Sequence, residues 1–205
     1  MLLAIRDREG SSQRAPYVVG LGGTVRADSA TDKALQLALQ SAAAAGARVL
    51  QLRGPDLELP MYAAHTLERT AGARRLVEEL RKADGIILAS PSYHGSVSGY
   101  VKNALDYVED LAKDPLPYFD GRAVGCIAVA GGWQGAMSTL SALRDIVHAL
   151  RGWPTPLGVP IVTAAPAVDP EWVRMNHKVH QQIEVMAGQV VAFAALRISR
   201  VHAAA

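Results

Sequence analysis

The chain has 205 residues, half of them hydrophobic and a fifth charged, which suits one soluble domain with a continuous core. Its formal net charge is +2 and its sequence pI about 8.8, yet the basic residues are scattered; the densest group, Arg74, Arg75, Arg81 and Lys82, reads as a solvated helix face, so charge argues against nucleic-acid binding. The single cysteine, Cys126, excludes an intrachain disulfide and a thiolate metal cluster, and no apolar run approaches the ~20 residues of a membrane span.

Met1 to Pro16 mixes charges with Gly-Ser-Ser and lacks the apolar region of a signal peptide, so it reads as a flexible arm over residues 1–16 on a cytoplasmic protein. Tyr17 to Leu21 is a short, continuous apolar run, the pattern of a buried parallel strand, and it opens into Gly22-Gly23-Thr24. Ala34, Leu35, Ala38, Leu39 and Ala42 recur at helical spacing, with Ser29 as N-cap, Asp32 as the return half of a short capping box, and Gly46 as the stop. Arg48 to Leu52 is a second strand, completing one strand–helix–strand unit. The stretch from Arg53 to about Gly72 is long enough to suggest a task at a ligand or a subunit contact.

The next helix carries Leu76, Val77, Leu80 and Ala83 on one face and ends at Asp84-Gly85. A third strand, Ile86 to Ser90, stops at Pro91 and gives way to a Gly/Ser loop. Val101, Ala104, Leu105, Val108, Leu111 and Ala112 then form a continuous helical stripe. A strand over Ala123 to Ala130, with Cys126 as a small core residue, leads to the glycine loop Gly131 to Gly135. Leu140, Leu143, Ile146, Val147 and Leu150 mark a fourth helix. A fifth strand lies around Leu157 to Thr163, where Pro160 fits only an edge. A last helix runs from about Glu171 to Leu196, closing one domain over 17–197, and residues 198–205 are expected to fray.

Five strands alternating with five helices specify a three-layer α/β domain with a parallel sheet and helices on both faces. Ligands bind such sheets beyond the carboxyl ends of the strands. The loops after strands one, three and four carry the Gly/Ser chemistry, so the site belongs there. In the first loop, Thr24, Arg26 and Ser29 with glycine-freed amides at a helix start offer what a phosphate dianion needs, although a loop of this kind also serves simply as a helix cap. It has neither the G-x-G-x-x-G spacing of a dinucleotide fold nor a Walker lysine.

At these loops the sequence resembles the flavodoxin-like NAD(P)H-dependent FMN reductases. Gly23, Thr24, Arg26 and Ser29 match that family's Gly-Ser-x-Arg-x-x-Ser phosphate loop, with Thr for the first Ser. Pro91, Tyr93, Gly95, Ser96, Gly99, Lys102, Asn103, Ala104 and Asp106 match its flavin-ring motif, with His94 where Asn is common and Val101 where Leu is usual. Leu59-Pro-Met-Tyr62 is similar to its Leu-Pro-x-Tyr segment. The resemblance runs from about Tyr17 to Thr163 and implies a flavodoxin-like sheet of order 2-1-3-4-5. It implies that Thr24, Arg26 and Ser29 hold the FMN phosphate. Pro91, Ser92, Tyr93, His94, Gly95 and Ser96 would line the ring, and Gly131, Gly132 and Gly135 would close the other side. His94 also reads as a solvent-facing loop residue, Trp133 as a stacking partner or a loop cover, and Lys102 and Asn103 as residues that pin the loop.

The implied activity is hydride transfer from NADPH or NADH to FMN and on to a second small-molecule acceptor, namely a free flavin supplying a monooxygenase, or a quinone or azo compound. A homodimer or homotetramer is implied as well. An electron-transfer flavodoxin without NAD(P)H activity is the alternative, against which stand the basic pI and Arg26; a scaffold that has lost the cofactor is a third. The chain shows no triad or paired carboxylates, as expected where a flavin supplies the chemistry. His177 and His180, three apart, read as a solvated helix face rather than a metal site.

Overall fold

The computed structural model describes residues 14–26, 28–66, 68–163 and 177–204, so most of the expected N-terminal arm and the start of the last helix lie outside the described residues. Strand β1 (Tyr17–Gly22) leads into helix α1 (Ala30–Ala44), and β2 (Arg48–Leu52) follows, with the register Val18↔Val49 to Leu21↔Leu52 between the two strands. A short 3₁₀ turn, Gly54–Leu57, opens the long loop before α2 (Ala71–Lys82). β3 spans Gly85–Tyr93 and turns back as β4 (Ser96–Val97) before α3 (Gly99–Asp106). Then come β5 (Ala123–Ala130), α4 (Trp133–Ala149), β6 (Trp153–Pro154), β7 (Val159–Val162) and α5 (His177–Ala204).

The sheet order is β2-β1-β3-β5-β6, with β7 also paired to β5 and β4 antiparallel to β3. This is the expected flavodoxin-like order with additions at two places. The fifth strand is split: Trp153–Pro154 and Val159–Val162 each pair with β5, because prolines 154 and 156 interrupt the donor row and Thr155 turns its hydroxyl onto the Leu157 carbonyl at 2.8 Å. Pro160 stands in β7, which borders β5 alone, as an edge position requires.

The third strand does not stop at Pro91. Pro91 stays in register with Val129 of β5, and the segment read as an open loop is a β-hairpin pairing Ser92 with Val97 and Tyr93 with Ser96. His94 and Gly95 form its two-residue turn with φ of 53° and 80°, the positive values that a right-twisted hairpin favours. Asparagine adopts that conformation readily, which gives a backbone reason for the residue common at position 94. Two further boundaries move. The apolar stripe of the third helix is buried as expected, but the winding tightens to 3₁₀ over Tyr107–Leu111 as the chain nears Asp114-Pro115. The last helix continues to Ala204, where fraying from Ile198 was expected.

Side chains alternate between two cores. Val19, Leu21, Ile86, Leu88, Val124 and Cys126 face α2, α3 and α4, whereas Val18, Ile87, Ala89, Ile127 and Val129 face α1 and α5. Burial pushes the Cys126 thiol up to about 12, so it is an inert core group at neutral pH. At the amino ends of the strands, Asp84 accepts two bonds from Arg14, at 2.5 and 2.8 Å, and one from the Tyr17 N–H at 2.9 Å. Arg122 donates to the Ala83 and Arg81 carbonyls that α2 leaves open, at 2.8 and 3.0 Å. Burial lowers its guanidinium to about 10, which still leaves it charged at neutral pH.

At the carboxyl ends the backbones of β1 and β3 crowd together. A side-chain carbon on Gly22 would stand 1.9 Å from the Ala89 carbonyl oxygen, at a φ of +149°. Gly22→Ala is therefore expected to cost about 3 kcal/mol or more, read as a lower urea midpoint; an unchanged midpoint would refute the close approach.

Candidate functional site

The loops after β1, β3, β5 and β7 enclose one open cavity of about 580 Å³ at the carboxyl ends of the strands. One wall is the first loop and the start of α1, comprising Gly23, Thr24, Val25, Arg26, Ser29 and Thr31. Gly23 N–H donates to the Ala89 carbonyl at 3.1 Å, which seats the loop on β3. Ser29 caps α1 as expected, accepting from the Asp32 N–H at 3.2 Å, so its own O–H proton stays free to donate outward. The second half of the expected capping box does not form. The Asp32 carboxylate turns instead to Gln51 Nε2 and Arg53 Nη1, each at 2.8 Å, because a cation and an amide across the β2 turn outbid the Ser29 N–H. Thr24 donates its hydroxyl to the Arg26 carbonyl at 2.9 Å and so tightens the loop. Arg26 is exposed at the mouth and makes no ion pair among the described residues.

The second wall is the hairpin and the start of α3, with Pro91, Ser92, Tyr93, Ser98 and Tyr100; the third is Val129, Ala130, Gly131 and Thr163. The hairpin is fastened at its base and its tip. Ser90 Oγ, fully buried, donates to the Pro91 carbonyl at 2.8 Å and accepts from the Ser98 N–H at 3.0 Å, while Ser98 Oγ caps α3 at the Val101 N–H. Ser138 of α4 donates to the Gly95 carbonyl at 2.7 Å.

Of the residues the sequence singled out, Thr24, Arg26, Ser29, Pro91, Ser92, Tyr93 and Gly131 thus line one cavity. His94, Gly95 and Ser96 stand at the hairpin tip, outside the cavity wall. Gly132 is the N-cap of α4, and Gly135 lies in its first turn, where a side-chain carbon would meet Ser92 Oγ at 3.0 Å. The glycine stretch expected as a loop is thus largely a helix start, and Trp133 is its first residue, exposed beside the site. Thr31, Ser98, Tyr100, Val129, Ala130 and Thr163 are lining residues that sequence reasoning missed. The strand-end rule points to Val129, Ala130 and Thr163, and Ser98, three residues before Val101, carries an N-cap signature; Tyr100 has no such signal.

Lys102 and Asn103, read together as pins, separate. Lys102 pairs with Asp106 on its own helix at 2.6 Å. Asn103 is buried and holds the Leu59-Pro60-Met61-Tyr62 segment, accepting from the Tyr62 N–H at 2.8 Å and donating to the carbonyls of Pro60 and Leu59 at 3.0 and 3.3 Å. Tyr107 adds a bond to the Pro60 carbonyl at 3.0 Å. Arg69 lies over the rings of Tyr62 and Tyr107 at 4.9 and 5.5 Å and grips Asp110 with two bonds. His180 has a carboxylate beside it after all, Glu184 at 3.8 Å, but among the described residues no three His, Cys, Asp or Glu side chains gather into a metal site. Asn103→Ala should leave the Tyr62 N–H and the Leu59 carbonyl without their partner and the Pro60 carbonyl with the Tyr107 hydroxyl alone. A loss of about 2 kcal/mol and faster proteolysis within residues 53–70 are expected; unchanged proteolysis would refute the clamp.

A family profile described as NADPH-dependent FMN reductase matches residues 16–167, which include every wall of the cavity. An NADPH azoreductase of Bacillus sp. (strain OY1-2) is 36% identical over 88 residues, covering 42% of this chain and 46% of that protein. An FMN-dependent NADPH-azoreductase of Staphylococcus aureus is 42% identical over 81 residues, covering 40% of this chain and 39% of that protein. The matches thus span less than half the length of these curated relatives. Among solved structures, the flavoenzyme NAD(P)H:(acceptor) oxidoreductase FerB of Paracoccus denitrificans superimposes with a TM-score of 0.63 at 17% identity, covering 88% of this chain and 98% of that one, which shows a shared fold. No described helix is long and apolar enough to cross a membrane. With the profile spanning the whole sheet and all three walls of the cavity, the chain belongs to the NADPH-dependent FMN reductase family.

Proposed function

We propose that this protein binds FMN in the cavity and catalyses NAD(P)H-dependent reduction of a second, flat aromatic acceptor. The observation that carries the reading is the continuity of the cavity. An anion cradle at the start of α1 and a rigid hairpin wall open into the same space, at the separation the strand ends set. The described residues lining it include no Asp or Glu, and the Ser29 hydroxyl, the first amides of α1 and the Arg26 guanidinium would donate to a phosphate dianion there. The volume also lies in the usual range for cofactor sites.

Bound FMN would supply the hydride-accepting centre. The chain's own residues bind and orient. Thr24, Arg26 and Ser29, joined by Thr31, would fix the phosphate end, while Pro91, Ser92 and Tyr93 on one side and Ala130 and Gly131 on the other would fix the ring. His94, Gly95, Ser96, Gly132 and Gly135 would act by shaping the hairpin and the start of α4. No lining side chain has to hold a proton.

Exposed Tyr93, Tyr100, Trp133 and Met137 stand on the hairpin, α3 and α4 around the mouth. They favour a flat aromatic partner, and the azoreductase names of the partial relatives agree with an azo compound. A quinone would fit the same surface, and free flavin passed to a monooxygenase is the remaining acceptor. The same rim suits a second copy of the chain, so the proposed assembly is a homodimer or a larger even oligomer in the cytoplasm, where its nucleotide donor is supplied.

Anaerobic addition of NADPH or NADH to the FMN-loaded protein is expected to bleach the visible flavin absorbance, and an azo dye is expected to restore it. No bleaching with either nucleotide would refute the reductase and leave an electron carrier. Arg26→Ala should weaken FMN binding by about 10- to 100-fold and leave riboflavin binding unchanged, measured by quenching of flavin fluorescence; unchanged FMN affinity would remove Arg26 from the phosphate site.

A further inference from the structure

We infer that Arg53 enables the first loop to accept a doubly charged phosphate, by neutralising the buried Asp32 carboxylate beneath it, and thereby selects FMN over riboflavin. The inference rests on the reading of that loop as the phosphate site. Asp32 is 3% exposed and sits in the first turn of α1. A side-chain carbon on Gly23, a lining residue, would stand 3.7 Å from Asp32 Oδ1. A carboxylate thus lies within contact distance of the cradle's Gly23.

A helix start favours anions, but a carboxylate and a phosphate close to it repel each other. For two charges about 10 Å apart at an effective dielectric of about 20, each unit of repulsion is worth on the order of tenfold in affinity. Gln51 donates to Asp32 but brings no charge to cancel it. Arg53 does both, with Nη1 at 2.8 Å from Oδ2. Its backbone is anchored from the other side by the Asp56 carboxylate, 3.1 Å from its N–H. The next residue, Gly54, turns with φ +48° so close to the first loop that a side-chain carbon there would stand 3.6 Å from the Thr24 carbonyl and 3.8 Å from the Val25 carbonyl. The turn after β2 and the loop after β1 are one packed unit, and the ion pair is its electrostatic centre.

The test measures dissociation constants of FMN and riboflavin for the wild type, Arg53→Met, Arg53→Lys and the double variant Arg53→Met/Asp32→Asn, with folding checked by circular dichroism. Arg53→Met is expected to lose about tenfold or more in FMN affinity and less than about twofold in riboflavin affinity. Arg53→Lys should retain the wild-type preference, and the double variant should regain it. Retention of the preference by Arg53→Met, an equal loss for both flavins, or no recovery in the double variant would each overturn the inference while leaving the phosphate loop in place. A wild type that does not distinguish FMN from riboflavin would overturn both. Should Arg53→Met fail to fold, Asp32→Asn decides alone: FMN affinity should rise with riboflavin unchanged, and no rise overturns the proposal.

Discussion

Burial of both faces of the parallel sheet is the constraint on which the rest depends. With α1 and α5 on one side and α2, α3 and α4 on the other, β1, β3 and β5 have no solvated face, and their residues read as continuous apolar runs. Polar chemistry is thereby pushed to the strand ends. The register decides which end. Gly22, Ala89 and Ile127 stand level across β1, β3 and β5, so the three loops that follow leave the sheet within one cluster. The contact of Gly22 with the Ala89 carbonyl brings β1 and β3 as near as backbone allows, and the Gly23 N–H bonds that same carbonyl. The loop proposed as an anion cradle is in this sense the place where the β1–β3 ladder runs out.

The site is then stiffened from below. Buried serines 90 and 98 bind the hairpin stem to itself and to α3, and Ser138 ties its tip to α4. Away from the cavity wall, Asn103 and Tyr107 hold the 59–62 segment, with Arg69 lying across Tyr62 and Tyr107. These bonds run between side chain and backbone, and all but the exposed Ser138 bond are buried or partly buried, so breaking them leaves groups that water reaches poorly. Two loops that look loose by composition are fixed in consequence.

How legible all this was depends on the range of the interaction. Strands such as Arg48–Leu52 and Ala123–Ala130 were readable to the residue, because apolar runs and flanking glycines are local signals. The Ser29 cap was readable for the same reason. The hairpin over Pro91 to Gly99 was not, since Gly, Ser and Pro signal a turn without saying that both flanks pair. Nor was the fate of Asp32. From sequence its nearest partner is the Ser29 amide, but the fold brings Arg53, twenty-one residues on, to the carboxylate. A loop was expected at Trp133 because Gly132 and Gly135 mask the helix start there. The cavity wall was about half visible: the loop motifs supplied Thr24, Arg26, Ser29 and Pro91 to Tyr93, whereas Thr163 and Tyr100 meet them only through the sheet and the hairpin.

A cavity wall fastened in this way bears on how the two proposed substrates would share it. Where lids close over a reaction, loops carry glycine hinges and few bonds to the body of the protein. Here the hairpin is bonded at several points, and among the described residues the cavity opens beside exposed Tyr93 and Tyr100. Such access would suit the proposed donor and acceptor coming and going in turn over the same face. It also suits loose discrimination between flat acceptors, since a planar ring against aromatic side chains gains from area more than from placed hydrogen bonds. In the proposed reading, selectivity lies at the other end of the cavity, where the Asp32–Arg53 pair sets the charge beneath the first loop.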